Sequence, residues 1–355
     1  MAKERIHNLQ ETKGSFQCKG IINGVQKEKF YTEKKTKTNK DFRAVSFACE
    51  YNATTSMYMS LNGMPQAEVY FSKKNPDTNK TDTKKVPWAN RNTFAEDGWR
   101  MIGVSLGLTK TVDKDGKPIN DRKTMHAFDA CEYIKKHLRD DMSAYIRGNI
   151  EFSSFIDSEG NIRRSTKYVP SQISLCQDVN FGDFNENNKP VHDFTQTIIY
   201  TGIDKEKENE KETGRFIVQA KIVTYSDVID TEFIITDSKL ANLFRTKLKP
   251  YTGISVHGRI EVTHKVEEVS SDDGWGEANA MTSMAAPTKI EMIITGATPS
   301  TIDKETYTEA KVNEAIVKIR NAKTAEQNFS GKSNSNSDND SWGDDFTDDD
   351  SDPWD

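Results

Sequence analysis

Two stretches of the sequence resemble each other at a constant offset of 110 residues, and this internal repeat constrains the fold more than any other feature. The stretches run from Tyr133 to Ser153 and from Leu243 to Thr263. Identical residues occupy four matched pairs of positions: Leu138 and Leu248, Gly148 and Gly258, Ile150 and Ile260, Glu151 and Glu261. Each stretch begins as a short amphipathic helix and continues as a strand around its glycine. Because only two copies are present, the repeat predicts a duplicated domain rather than a solenoid. The alternative is a chance match between two helix–strand units.

The two halves of the chain also begin alike and share one order of predicted elements. FQCKGIINGV, from Phe16 to Val25, resembles FTQTIIYTGI, from Phe194 to Ile203. In the first half, strands are predicted near Phe16–Val25, Phe42–Asn52, Ser56–Leu61, Ala67–Phe71, Ser143–Phe155 and Tyr168–Leu175. In the second half, they are predicted near Thr195–Gly202, Arg215–Tyr225, Thr231–Thr236, Gly253–Val266 and Thr288–Thr295. Helices are predicted near Phe128–Leu138 and Ser238–Leu248.

Three strands, a helix and two strands is the order of the OB-fold, a five-stranded Greek-key barrel. The sequence therefore predicts a mainly β chain of tandem OB-fold barrels with short α-helices and a disordered acidic C-terminal tail. The expected units are a first barrel at 1–180 with an insertion of Lys-, Asn- and Asp-rich loops at about 72–125, a second barrel at 190–300, a helix at 303–328 and the tail at 329–355. Val312, Ile316 and Ile319 form one stripe of the C-terminal helix, which we expect to pack on the second barrel.

Several classes of function are disfavoured by motifs that the sequence lacks. Cys18, Cys49, Cys131 and Cys176 are scattered singly, which favours reduced, buried thiols over a metal site. No P-loop, G-x-S-x-G, H-E-x-x-H or dinucleotide fingerprint occurs, so we expect neither an enzyme nor a cofactor. No apolar run approaches the ~20 residues that cross a bilayer, and the N-terminus lacks the apolar stretch of a signal peptide. We therefore expect a cytoplasmic protein without a membrane partner.

Charge is unevenly distributed along the chain. The net charge is −6, yet positions 338–355 hold nine aspartates, and the residues before them carry 49 basic and 46 acidic side chains. A mildly basic body with an acidic appendage is typical of polyanion binding. The most basic stretch is KEKFYTEKKTKTNKDFR, from Lys27 to Arg43, with seven basic residues against three acids.

That basic stretch falls on the connection between the first two barrel strands, where an OB-fold grips a single nucleic-acid strand. Lysines would contact phosphates, and rings would stack on bases. The candidate contact residues of this stretch are Lys27, Lys29, Phe30, Tyr31, Lys34, Lys35, Lys37, Lys40 and Arg43. The alternative is a solvated hairpin whose rings belong to the core at the strand ends.

Further candidates come from strand alternation and from the insertion. In SMYMSLNG, Met57, Met59 and Leu61 share one face and leave Tyr58 on the other, and AEVYF places Tyr70 in the same way. Either tyrosine is a plausible base platform or a half-buried sheet residue. A second cluster of basic and aromatic side chains comprises Lys73, Lys74, Lys84, Lys85, Trp88 and Arg91. Trp88 and Trp99 are also candidates for anchoring the insertion to the barrel.

The chain ends in SWGDDFTDDDSDPWD, which sets aromatic side chains among aspartates. A body that binds nucleic acid followed by such a tail resembles the single-stranded DNA-binding proteins of bacteria and bacteriophages. The resemblance implies that OB-folds coat the strand and that the tail docks replication and recombination enzymes. The residues that would dock partners are Trp342, Asp344, Asp345, Phe346, Asp348, Asp349, Asp350, Asp352 and Trp354. Asp355 follows Trp354, whereas bacterial tips end in Pro-Phe with a free carboxylate on the phenylalanine.

The main functional prediction is a sequence-tolerant, non-enzymatic protein that binds single-stranded DNA during replication, recombination or repair. The duplicated body and the tail resemble a phage protein more than the host protein, which would place it in the cytoplasm of a bacterial host. Self-association along DNA is left open. Two alternatives remain at this point: an acidic-tailed adaptor or inhibitor whose barrels bind protein, and an RNA chaperone.

Overall fold

The computed structural model describes residues 5–53, 55–156, 162–182, 185–264 and 288–330. The fold is mainly β, as predicted. The first half contains β1 (Gly14–Asn23), β2 (Tyr31–Lys35), β3 (Asp41–Asn52), β4 (Thr55–Gly63), β5 (Glu68–Lys74), β6 (Thr81–Pro87), β7 (Arg100–Met101), β8 (Val104–Val112), β9 (Pro118–Met125), α1 (Ala127–His137), β10 (Ser143–Ile156) and β11 (Ile162–Leu175). The second half contains β12 (Val191–Glu208), β13 (Lys211–Val223), β14 (Val228–Ile235), α2 (Ser238–Lys247), β15 (Thr252–His264), β16 (Thr288–Asp303) and α3 (Glu309–Ser330).

The second half forms a closed five-stranded barrel in the order predicted. β12 pairs with both β13 and β15, β13 pairs with β14, and β15 pairs with β16, all antiparallel. A parallel contact between Ile234 of β14 and Ile293 of β16 closes the circle. Ala241 and Phe244 of α2 are buried against the barrel core, so this helix covers one end. This strand order and pairing are those of an OB-fold.

The first half repeats this arrangement with a different closure. β1 pairs with β3 and β10, β3 pairs with β4, and β10 pairs with β11. β4 lies beside β11, but the strand that hydrogen-bonds to β11 in parallel is β8, between Gln172 and Ser105 and between Ser174 and Gly107. A strand from the insertion therefore takes part in closing the first barrel.

The insertion corrects the prediction of a loop-rich segment at 72–125. β8 and β9 form a hairpin on the barrel, and β6, β5 and β7 form a separate three-stranded sheet, which we call the small sheet. The strand predicted near Ala67–Phe71 is β5 of this sheet and lies outside the barrel. Val69 and Phe71 of β5 alternate with polar residues, and Val86 of β6 lies opposite Val69, so the three side chains are buried together. The mostly polar composition of β6 gives no strand period in the sequence.

Equivalent positions of the two barrels share unusual backbone features, which supports a true duplication. Ideal Cβ atoms at Gly148 and Gly258 would lie 2.1 Å and 1.9 Å from the carbonyl oxygens of Val169 and Ile293 on the neighbouring strands. Each glycine also sits at an irregularity in strand register. The offset of 110 residues therefore marks positions where two backbones approach too closely for any side chain.

The barrels are joined by their first strands and by the chain ends. β1 pairs antiparallel with β12. The N-terminal residues, expected in the first barrel, pack on the second barrel instead: the Thr12 amide donates to the Val223 carbonyl at 3.0 Å. Leu9 shares a buried cluster with Val223, Val312 and other residues of the second barrel and α3. The apolar stripe of α3 therefore packs on the second barrel as predicted.

No helix within the described residues is both long and apolar enough to span a bilayer. The aspartate-rich tail and the candidates from Trp342 to Trp354 lie outside the described residues.

Candidate nucleic-acid interface

The outer face of β3 and β4 is a strip of mostly small side chains that also carries the Tyr58 ring and the Glu50 carboxylate. Ala48 lies opposite Tyr58, and Ser46 lies opposite Ser60. Tyr58 is 43% exposed, whereas Met57 and Met59 beside it are buried in the barrel core. The predicted alternation is therefore correct and places Tyr58 outward. A ring with this exposed fraction presents surface on which a base can stack.

A basic hairpin projects beside this strip, formed by β2, β3 and the turn between them. The turn is closed by a hydrogen bond from the Thr36 amide to the Lys40 carbonyl at 2.8 Å. Its exposed lysines are Lys34, Lys35, Lys37 and Lys40. Lys35 lies 3.6 Å from Asp41, but within the described residues the side chains of Lys37 and Lys40 have no bonded partner. Two cations at the hairpin tip are thus uncommitted.

The two rings at the base of the hairpin belong mainly to the protein interior. Phe30 is only 6% exposed and lies in the core of the first barrel, which corrects the expectation that it stacks on a base. Tyr31 donates a hydrogen bond to Glu33 at 2.8 Å, and Lys135 Nζ lies 4.0 Å from the ring centre. Burial, followed by that hydrogen bond, raises the pKa of Tyr31. One face of its ring is therefore already occupied by a cation.

Sequence reasoning missed the cations of α1 that lie next to this ring. A shallow pocket of about 430 Å³ is lined by Lys27, Tyr31, Lys135 and Arg139, together with other residues of the hairpin base. Lys27 is half-buried there, and Lys29 is exposed nearby. The sequence signal for these cations was the basic run in the last turn of α1, because the last turn of a helix favours cations. The side chains of this run extend the basic surface of the hairpin.

Arg43 and Arg91, both expected to contact DNA, are held by carboxylates instead. Arg43 donates to Glu33 at 3.0 Å and to Glu132 at 2.7 Å, and its guanidinium lies 4.1 Å from the centre of the Phe128 ring. Arg91 donates two hydrogen bonds to Asp129, at 2.6 and 2.9 Å. Both arginine side chains are only 17% exposed. These contacts fasten the hairpin and the insertion to α1.

Trp88 anchors the insertion to the first barrel, which was the alternative to a DNA contact. Its ring meets His126 edge-on at 4.9 Å and lies 3.9 Å from the Arg91 guanidinium. Lys84 is committed in a similar way, since it contacts Glu96 at 2.5 Å and lies over the Phe94 ring. Lys73 donates to the Asp97 carbonyl at 2.9 Å. These three residues therefore stabilise the small sheet and its attachment.

The opposite face of the small sheet carries the remaining candidates. Tyr70 is 42% exposed, and Lys85, which is also paired with Glu68 at 3.3 Å, lies 5.7 Å from its ring centre. Lys74 is exposed on the same strand, and Arg100 is exposed on β7. Neither has a bonded side-chain partner within the part of the chain that is described. Arg100 was not predicted, because the two-residue strand β7 has no periodic signal.

A family model described as YorF matches residues 74–331, more than half of the sequence. The chain belongs to the YorF family. The match begins in the small sheet and covers the second barrel and α3, while the basic hairpin and Tyr58 precede it. No curated protein matches the sequence.

Solved structures with some similarity include two of the single-stranded DNA binding protein from Thermus aquaticus. A deletion mutant is 9% identical with a TM-score of 0.38, covering 84% of this chain and 98% of that one. The wild-type protein is 10% identical with a TM-score of 0.37, covering 81% and 91%. A Plasmodium falciparum SSB complex with ssDNA is 10% identical with a TM-score of 0.17, covering 48% and 98%. Scores this low add nothing to the fold assignment, which rests on the strand pairing.

Proposed function

We propose that this protein binds single-stranded DNA without sequence preference and without catalysis, in replication, recombination or repair. The observation that carries the proposal is the exposed Tyr58 ring on a strip of mostly small side chains, beside a hairpin tip with two uncommitted lysines. A ring gives stacking that every base can use, and lysines give phosphate contacts. The combination suits a polyanion with exposed bases better than a folded protein partner.

The proposed interface has two parts, both attached to α1. The first part is the hairpin with the β3–β4 strip, and the second is the outer face of the small sheet with Tyr70 and Arg100. Carboxylates of α1 hold Arg43 of the hairpin and Arg91 of the insertion, so one helix positions both parts. We further propose that the acidic tail docks partner enzymes in a bacterial cytoplasm.

The proposal is tested by titrating labelled oligo-dT at several salt concentrations and following fluorescence anisotropy. Replacing Lys34, Lys35, Lys37 and Lys40 with alanine should weaken binding and flatten the log–log salt slope by up to ~0.7 per lost phosphate contact. The matched control replaces the same four lysines with arginine, which keeps the charge and should keep the slope. Salt-independent or absent binding of the unaltered protein would reject DNA binding. Stronger competition by RNA than by DNA would favour an RNA chaperone.

A further inference from the structure

The second barrel presents a chemically different outer face at the position of the β3–β4 strip. The corresponding strands are β13 and β14, where Gln219 lies opposite Glu232 and Lys221 lies opposite Asp230. Gln219 donates to Glu232 at 3.1 Å, and Lys221 forms an ion pair with Asp230. Outward positions of β3 and β4 carry Tyr58, small or neutral polar side chains and the Glu50 carboxylate, whereas those of β14 carry Asp230 and Glu232. A carboxylate row repels phosphate and offers no stacking surface.

One end of this face is covered by other parts of the chain. Val223 lies opposite Val228, in line with the polar pairs, and packs in one cluster with Leu9 and Val312. Lys323 of α3 reaches Asp227 at 2.8 Å, at the turn between β13 and β14. The N-terminal segment and α3 together therefore cover the Val223–Val228 end of this face.

The hairpins between the first two strands also differ in charge. In the first barrel the stretch from Lys27 to Arg43 has an excess of four positive charges. In the second barrel the stretch from Lys205 to Arg215 has four basic residues and four glutamates. Lys205 pairs with Glu212 at 2.9 Å, and Arg215 pairs with Glu206 at 3.3 Å. This hairpin has no excess charge to attract a phosphate backbone.

From the chemistry of the two faces and the charge of the two hairpins we infer that only the first barrel and its small sheet hold the strand, so that each chain has one single-stranded DNA site. The inference rests on the proposed function and specifies its site. The second barrel then acts as a support: it pairs with β1, and the N-terminal segment and α3 pack on one end of its outer face. A strand is not wrapped around both barrels.

Matched double variants test this asymmetry in the full-length protein. Lys37→Ala with Lys40→Ala removes two exposed lysines from the first hairpin, and Lys207→Ala with Lys211→Ala removes two from the second. We expect the first pair to flatten the salt slope of oligo-dT binding by about 1.4. We expect the second pair to leave the affinity for oligo-dT within a factor of two of the unaltered protein. The log–log salt slope should stay the same. Equal losses from both pairs would overturn the inference while leaving DNA binding itself intact.

Stoichiometry gives a second, independent readout. Oligo-dT of about 10 nucleotides, within the range that one OB-fold covers, should saturate at one strand per chain. An end point of two strands per chain would overturn the one-site inference. Absence of salt-dependent binding by the unaltered protein is a different result, because it rejects the proposed function and not only the choice of barrel.

Discussion

Phe16 lies directly opposite Phe194 in the antiparallel pair that joins the two barrels. These residues occupy equivalent positions in the two repeats, and the flanking pairs are arranged symmetrically about them, from Gly14 opposite Gln196 to Lys19 opposite Val191. A two-fold pseudosymmetry axis therefore passes between the two phenylalanines. Each ring packs into its own barrel, Phe16 against Tyr168 and Phe194 against Phe233.

The repeat glycines should tolerate no side chain. Gly148→Ala and Gly258→Ala would each place a methyl group within about 2 Å of a neighbouring carbonyl oxygen. We expect each substitution to lower the free energy of unfolding by ~1–3 kcal/mol or more, measured by urea denaturation. Gly202→Ala is the matched control, because nothing lies within 4 Å of its Cβ position. Equal stability of all three variants would contradict the close approach.

Tyr58 should contribute to DNA binding through its ring rather than its hydroxyl. Tyr58→Ala should weaken oligo-dT binding by ~1–3 kcal/mol, because one stacking surface is lost. Tyr58→Phe keeps the ring and should bind nearly as well as the unaltered protein. Fluorescence anisotropy at fixed salt measures both variants. A phenylalanine variant as weak as the alanine variant would show that the strand does not stack on this ring.

Arg43 should matter for folding and for acid sensitivity. Hydrogen bonds from Tyr31 and then Arg43 hold the pKa of Glu33 below its ordinary value of 4.5, and contacts with Lys136 and Arg43 lower the pKa of Glu132. A carboxylate with a lowered folded-state pKa stabilises the fold above its unfolded pKa, and this contribution is lost as the pH falls through the folded value. Stability should therefore decrease as the pH falls below about 4.5.

Urea denaturation of Arg43→Ala tests this expectation. Because the carboxylates are partly exposed, we expect a loss of only about 1–2 kcal/mol at pH 7 and a smaller further loss on acidification than in the unaltered protein. Arg147→Ala is the control, since Arg147 is exposed and its side chain has no bonded partner within the described residues. An Arg43→Ala protein that keeps full stability but loses DNA affinity would restore Arg43 as a contact residue.

Leu9 should stabilise the second barrel although it lies near the N-terminus. Leu9→Ala removes a buried side chain from the cluster with Val223 and Val312, so we expect a loss of ~2–4 kcal/mol in unfolding free energy. Leu243→Ala, on an exposed position of α2, should change stability by less than about 0.5 kcal/mol.

A fragment of residues 190–330 retains all five strands of the second barrel and should fold, but with a lower urea midpoint than the whole chain. Absence of cooperative unfolding in that fragment would contradict an independent barrel.

The acidic tail should compete with DNA for the basic surface. Nine aspartates belong to the same polypeptide as the basic hairpin, so their effective concentration is high. Deleting residues 333–355 should tighten oligo-dT binding at low salt, and this gain in affinity should shrink as salt screens the attraction.

Phe346→Ala with Trp354→Ala should leave DNA affinity unchanged and abolish binding of replication or repair enzymes. A deletion without effect at any salt concentration would show that the tail does not guard the interface.

The sequence was sufficient for features that depend on local periodicity. Alternation around Met57 and Met59 places Tyr58 outward, and the offset between Gly148 and Gly258 predicts two barrels of one design. Local patterns cannot predict the ion-pair partners of Arg43 and Arg91, because these partners are remote in sequence. Glu132 is 89 residues from Arg43, and Asp129 is 38 residues from Arg91. The parallel pairing of β8 with β11 is equally remote. The sequence alone therefore does not show whether a basic residue near an aromatic ring contacts nucleic acid or forms an ion pair within the fold.

Joining the paired first strands within one polypeptide has an evolutionary consequence. When two identical chains associate through the same strands, every mutation alters both copies of a surface at once. Here the two copies are encoded separately, so one face carries Tyr58 while its counterpart carries Asp230 and Glu232. The assembly also survives any dilution, since neither barrel must find a partner in solution. A single substitution can therefore change the surface of one barrel and leave the other barrel unaltered.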